Sequence, residues 1–235
     1  MSTSDPAYVG DLVVPSEKVR DLPRHSLIVR VTHWITVLSF GGLLVSGIAI
    51  LVSHPRLYWG ETGNVATPSL IDLPIPFILA NQNGWGRYLH FLSAWIVALG
   101  GLVYIVSGLV TRHFRRNLLP STADLRWKSF FEPSRSEVAP TYNVLQRVTY
   151  LIVIFGLFPF VIWTGFAMSP ALVSVVPALV TVFGGHQSAR TLHFFVAVVL
   201  VLFVFVHLVM VWLTGFWKCV RPMITGYAAV RKGSA

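Results

Sequence analysis

Four stretches of the chain, at about 29–52, 87–110, 146–168 and 190–215, are apolar over twenty residues or more and contain no aspartate or glutamate. A helix needs about 20 apolar residues to cross a hydrocarbon core of roughly 30 Å. Backbone at that depth must hydrogen-bond to itself, which a helix does within one segment. The windows therefore predict an all-α, integral membrane four-helix bundle. Hydrophobic residues make up 54% of the chain and charged residues 11%, against roughly 25% charged in soluble domains. Four spans with their loops use up the 235 residues, so the expected organisation is a tail at 1–28, a transmembrane domain at 29–216 and a second tail at 217–235. Residues 1–25 carry Asp5, Asp11, Glu17 and Asp21 and no apolar h-region, so they read as a retained tail rather than a signal peptide.

Lysine and arginine are unequally divided between the two sides, which sets orientation. Fifteen fall in the N-terminal segment, the middle loop with the start of the third span, and the C-terminal tail; Arg56, Arg87 and Arg190 fall on the other side. Both termini are expected in the cytoplasm of a bacterial inner-membrane protein. The net charge of +9 sits next to the spans without interleaved aromatics, so it reads as a topology signal with affinity for anionic lipid, not a nucleic-acid surface. A long outer loop at about 53–86, broken by Pro55, Pro68, Pro74, Pro76, Gly60 and Gly63, is expected to form an ordered cap or docking surface. The second outer segment, 169–189, is interrupted by Pro170 and Pro177 and is expected to lie at the interface or re-enter the protein.

Histidines at membrane depth are functional candidates, and here they are patterned. Arg30 precedes His33, Arg87 precedes His90 and Arg190 precedes His193, each by three residues, and His207 follows His193 by fourteen. Fourteen helical residues cover about 21 Å and return within about 40° of the same face. His193 and His207 therefore share a face at two depths. Span direction puts His33 at the depth of His207, near the cytoplasm, and His90 at the depth of His193, near the outer surface. Two bis-histidine haems account for this pattern, an inner one on His33 and His207 and an outer one on His90 and His193. Arg30, Arg87 and Arg190, one turn nearer the surface, suit haem propionates, because guanidinium binds carboxylate bidentately. Each histidine taken singly also fits a polar residue satisfied by a neighbouring carbonyl. Gly47, Gly101 and Gly108 lie near the ligand faces and either admit a flat macrocycle or only allow close helix packing. His25, His54, His113 and His186 read as solvated or structural. Cys219 is the single cysteine, so no Cys-x-x-Cys-His attachment exists and any haem b is non-covalent.

With Arg-Val-Thr-His-Trp at 30–34 and His193 spaced fourteen from His207, the chain resembles the di-haem membrane cytochrome b subunits of respiratory oxidoreductases: the formate dehydrogenase gamma subunit, the nickel-iron hydrogenase b-type cytochrome and thiosulfate reductase cytochrome b. The likeness covers about 25–220. It implies the same pairing of spans one and four, and two and four, around two haems. Tyr142-Asn143-Val144-Leu145-Gln146 is similar to the family's Tyr-Asn-x-x-Gln segment beside the quinone site. Asn143 and Gln146 are i,i+3 neighbours whose amides can donate to a quinone carbonyl and accept from a quinol hydroxyl; a pair of polar residues at a helix start is the plainer account.

The function expected is transmembrane electron transfer between a quinone or quinol near the cytoplasmic face and a periplasmic redox partner, a molybdopterin enzyme or hydrogenase-like subunit. A rival from another class is a self-sufficient superoxide:quinone oxidoreductase using the same four histidines. A haem-free proton or metal transporter is a third, set against by spans that carry no acids and no central proline but Pro159.

Overall fold

The structure is a computed structural model of the 235-residue chain that describes residues 22–23, 25–64, 66–75, 83–111 and 144–228. Short strand β1 (Leu22–Pro23) precedes helix α1 (Leu27–Ser53). Strands β2 (Arg56–Leu57) and β3 (Ile71–Asp72) lead to α2 (Asn83–Val110). The third long helix is α3 (Val144–Ile152), a π-helical turn at Val153–Leu157, and α4 (Phe158–Ala167). Short helices α5 (Pro170–Val175) and α6 (Ala178–Thr181) follow, then α7 (His186–Thr225) and β4 (Tyr227–Ala228). Among the described residues, four helices are long and apolar enough to cross a membrane: Leu27–Ser53, Gly84–Val110, Val148–Ala167 and His186–Thr225.

Their residue distribution suits lipid, inverting the soluble pattern. Leu38, Leu92, Leu102 and Leu202 face outward, while the buried positions of α1 are Thr32, Ser39 and Ser46, spaced by seven. Association in lipid gains nothing from hiding apolar side chains and depends on close packing of small residues. One close approach of α1 to α2 is of this kind, for a Cβ added at Gly42 would meet Ser93 Oγ at 2.5 Å.

The π turn has a local cause in Pro159. A proline inside a helix lacks an N–H and pushes against the carbonyl four residues back. The chain widens just before it, and Phe158 N–H bonds to the Val153 carbonyl five residues earlier.

The chain divides into two compact units, one of Thr32–Val206 and one of Met1–Val31 with His207–Ala235. In the second, Leu22 pairs with Ala228 and Pro23 with Tyr227 in an antiparallel ladder. Gly226, at φ +90°, closes this turn, accepting from His25 N–H at 3.4 Å. Helix α7 does not stop at 215 as its sequence suggests: the backbone breaks at Gly215 (φ 107°, ψ 102°) and a further helical segment carries Pro222 to Thr225. The expected boundary is a kink because glycine admits a left-handed break without Cβ strain.

In the first unit, the loop after α1 is a hairpin strapped to the first turns of α7. Strands β2 and β3 pair Arg56 with Asp72 and Leu57 with Ile71, and Leu70 N–H adds a 2.8 Å bond to the Leu57 carbonyl. Leu57 and Tyr58 are buried. Thr191 Oγ1 donates to the Tyr58 carbonyl at 2.6 Å, and Ser188 Oγ accepts from Gly60 N–H at 2.7 Å. The Gly60 carbonyl in turn accepts from Gln187 and Ser188 N–H at 3.0 and 3.3 Å. The segment after α4 folds back as α5 and α6, with Pro170 in the first turn of α5 and Pro177 heading α6. It buries Val180 against Ala167 and Ala189.

Candidate functional site

Within the Thr32–Val206 unit, four helical segments meet around two imidazoles. Helix α2 supplies His90 and α7 supplies His193, and their ring centres lie 6.2 Å apart with planes inclined by 62°. Helices α1 and α4 supply the support. His90 Nδ1 lies 3.0 Å from Ser46 Oγ, and His193 Nδ1 lies 3.0 Å from Thr164 Oγ1. Both hydroxyls are fully buried.

Each hydroxyl has one proton, and the helix takes it. Ser46 Oγ donates to the Gly42 carbonyl at 2.6 Å, and Thr164 Oγ1 to the Phe160 and Val161 carbonyls at 3.0 Å. With that proton committed, each oxygen faces the imidazole as an acceptor, and the tautomer that matches it carries the ring proton on Nδ1. Ser46 Oγ also lies 3.2 Å from the Leu43 carbonyl, so both hydroxyls are held by the carbonyls three and four residues back. In both rings the lone pair is left on Nε2, the tautomer a metal ligand needs.

The next residue in each case is glycine. A Cβ added at Gly47 would lie 3.8 Å from His90 Cε1, and one at Gly165 would lie 3.6 Å from His193 Cε1. The flanks of both rings are thus bare of side chain where a flat group bound between them would spread. Two imidazoles that shared one metal ion would have ring centres about 6 Å apart, from metal–nitrogen bonds of about 2 Å and roughly 1 Å more to each ring centre. The observed separation fits that requirement. No group of three or more His, Cys, Asp or Glu that could hold a bare metal ion occurs among the described residues. A macrocycle brings its own equatorial ligands, so two imidazoles suffice for it.

The remaining sequence candidates are placed as follows. Arg190, three residues before His193, has its guanidinium in the loop strap, donating to the His54 carbonyl at 2.5 Å, the Arg56 carbonyl at 3.2 Å and Gln187 Oε1 at 3.4 Å. Arg87 is exposed at the start of α2. Arg30 lies in the other unit, donates to the Ile224 carbonyl, and has a buried Nε that makes no hydrogen bond. His33 lies in the Thr32–Val206 unit, half-buried and edge-on to Trp34 with ring centres 5.4 Å apart; His207, also half-buried, opens the C-terminal part of the other unit. Tyr142 and Asn143, like His113, fall outside the described residues, as does the Gln146 side chain. Among the loop histidines, His54 at the end of α1 is held below its ordinary pKa, first by burial and then by the Arg190 charge.

Ser46, Thr164 and Gly165 are the site residues that the histidine pattern does not reveal. Their one sequence signal is a hydroxyl residue followed by glycine inside an apolar run, Ser46-Gly47 and Thr164-Gly165.

Residues 24–226 match the family model described as prokaryotic cytochrome b561. The chain is 29% identical over 208 residues, 84% of its own length and 93% of the relative's, to a putative protein-methionine-sulfoxide reductase subunit of Azospira oryzae. It is 27% identical over 224 residues, 85% of its length and 83% of the relative's, to a probable Ni/Fe-hydrogenase B-type cytochrome subunit of Cupriavidus necator. No solved structure matches.

Proposed function

The chain belongs to the prokaryotic cytochrome b561 family, a family of multi-pass membrane cytochromes, and we propose that it carries electrons across a bacterial inner membrane between a quinone pool and an oxidoreductase subunit docked outside. The observation that carries this reading is the facing pair His90 and His193, 6.2 Å apart with both Nδ1 atoms turned away to hydroxyls. These rings would hold one b-type haem. His33 and His207 would hold a second, on the strength of their matched positions in the sequence. A haem iron with imidazole on both sides supplies one-electron transfer with no open position for oxygen.

The chain's own residues do the rest. Ser46 and Thr164 fix the ligand tautomers, Gly47 and Gly165 keep the flanks clear, and the apolar outer faces hold the site in lipid. Arg30 and Arg87 would take propionates, with Arg190 shared between that duty and the strap. The excess of basic residues beside the spans favours both termini in the cytoplasm. Tyr142, Asn143 and Gln146 at the cytoplasmic start of the third span would bind quinone. The two relatives are named as subunits of a methionine-sulfoxide reductase and a hydrogenase. Both names favour a partner that performs its own redox chemistry, either a molybdopterin enzyme or a hydrogenase-like subunit. Electrons moving inward oppose an inside-negative potential by about 2.3 kcal/mol per charge per 100 mV, so inward flow conserves energy.

The test is haem content per purified chain by pyridine haemochrome. The expected result is two b haems in the wild type, with His90→Ala and His193→Ala each losing the same one and His33→Ala and His207→Ala losing the other. A colourless wild type overturns the proposal.

A further inference from the structure

The support of the two imidazoles is duplicated in detail. On α1 the Leu43 carbonyl accepts from the Ser46 hydroxyl, which is followed by Gly47; on α4 the Val161 carbonyl accepts from the Thr164 hydroxyl, which is followed by Gly165. In each case the carbonyl lies three residues before the hydroxyl and the glycine one after it. Each Nδ1 thus meets a hydroxyl oxygen whose proton is already given to carbonyls of its own helix. The carbonyls of a helix interior already accept from N–H groups four residues on, and those of Gly42, Leu43, Phe160 and Val161 take the hydroxyl protons as well. A buried serine or threonine that bonds back to its own helix is the means by which such a segment presents an extra oxygen lone pair.

The geometry points to Ser46 and Thr164 as positioning residues that set the electron-donating strength of His90 and His193, and hence the reduction potential of the group held between them. This rests on the haem reading above. An Nδ1–H that gives its proton to a good acceptor makes the ring more basic at Nε2. A more basic axial nitrogen favours oxidised iron and lowers the potential. Because both rings are supported alike, the two effects add in the same direction. Hydrogen bonding around the ligands is one of the few means a protein has to adjust a haem whose coordination is complete.

The test uses the full-length chain carrying His33→Ala, so that the His90–His193 site is read alone by potentiometric titration and low-spin EPR. Thr164→Val removes the acceptor at nearly constant shape, Ser46→Ala removes the other, and Thr164→Ser restores a hydroxyl. The expected result is a shift of the reduction equilibrium toward the reduced form by a few-fold to about tenfold in Thr164→Val and Ser46→Ala, where tenfold is about 59 mV for one electron. The g-values should move with the potential, and Thr164→Ser should retain the wild-type figures. Loss of the haem in Thr164→Val with retention in Thr164→Ser also supports the assignment, as failure to hold the ring. Unchanged potential and g-values in both deletions overturn it, and so does a Thr164→Ser variant shifted as far as Thr164→Val. A parent chain without haem defeats the underlying haem reading instead, which separates the two failures.

Discussion

Thr191→Val should loosen the hairpin after α1 without moving the helices. The Thr191 hydroxyl donates to the Tyr58 carbonyl at 2.6 Å with both residues buried. Valine keeps the shape and removes the donor, leaving a buried carbonyl unsatisfied, which costs about 1–3 kcal/mol. The other anchors remain: Ser188 on Gly60 N–H, Gln187 and Ser188 N–H on the Gly60 carbonyl, and Arg190 on the carbonyls of His54 and Arg56. The loop therefore stays docked, and the loss falls on the free energy of local opening. With a factor of ten for each 1.4 kcal/mol, opening becomes about 5- to 150-fold more frequent. Hydrogen–deuterium exchange in detergent reads this directly at the amides of Leu70 and Leu73, which bond to the Leu57 and Pro55 carbonyls, and at Gly60. Protection there should fall by that factor while amides in the middle of α7 keep theirs. A change of less than twofold at all three amides would refute the strap, and an equal loss along α7 would show that the mutation unfolds the helix instead.

The same hairpin should weaken in acid. His54 is held below its ordinary 6.5 by burial first and by Arg190 second, so between the lowered folded value and 6.5 the open form binds more protons and stability rises with pH; protection factors of the loop amides, taken relative to the intrinsic exchange rate at each pH, should fall from pH 7.5 to 5.5, and His54→Gln should flatten that trend. Gly185→Ala should destabilise the chain more broadly. Gly185 sits at φ +128°, and an added Cβ would run into the Gly60 carbonyl and Glu61 nitrogen, so thermal unfolding in detergent should come several degrees earlier; an unchanged transition would contradict the close approach.

The spans were legible because lipid leaves few choices. An apolar run of that length must be a helix, and 29–52 and 87–110 fall within Leu27–Ser53 and Asn83–Val110. The meeting of His90 with His193 was also legible, since depth in a bundle follows from span direction and residue count alone. Less legible was everything that depends on which oxygen meets which donor. Serine and threonine are ordinary residues in membrane helices, so nothing separates Ser46 from Ser39, or Thr164 from Thr149, until the facing helix is present. Arg190 shows the opposite difficulty: its spacing from His193 suggested a carboxylate partner, but the folded loop brings carbonyls to it first. The extension past Gly215 was hidden because one glycine signals a stop and a kink equally well.

The strap also fixes an order of assembly. Tyr58 and Thr191 are 133 residues apart in the chain, and at synthesis rates of about 5–20 residues per second roughly 7–27 s separate their emergence. Throughout that interval the hairpin has no surface to close on and His90 has no opposite ring. Both are completed by the arrival of the same helix, α7, so the emergence of the last span brings the second ligand and the latch above it together. Any cofactor for that site must be loaded after α7 has emerged, and a ribosome that stalls before 186 leaves a membrane protein with an open loop and with His33 and His90 both unmatched.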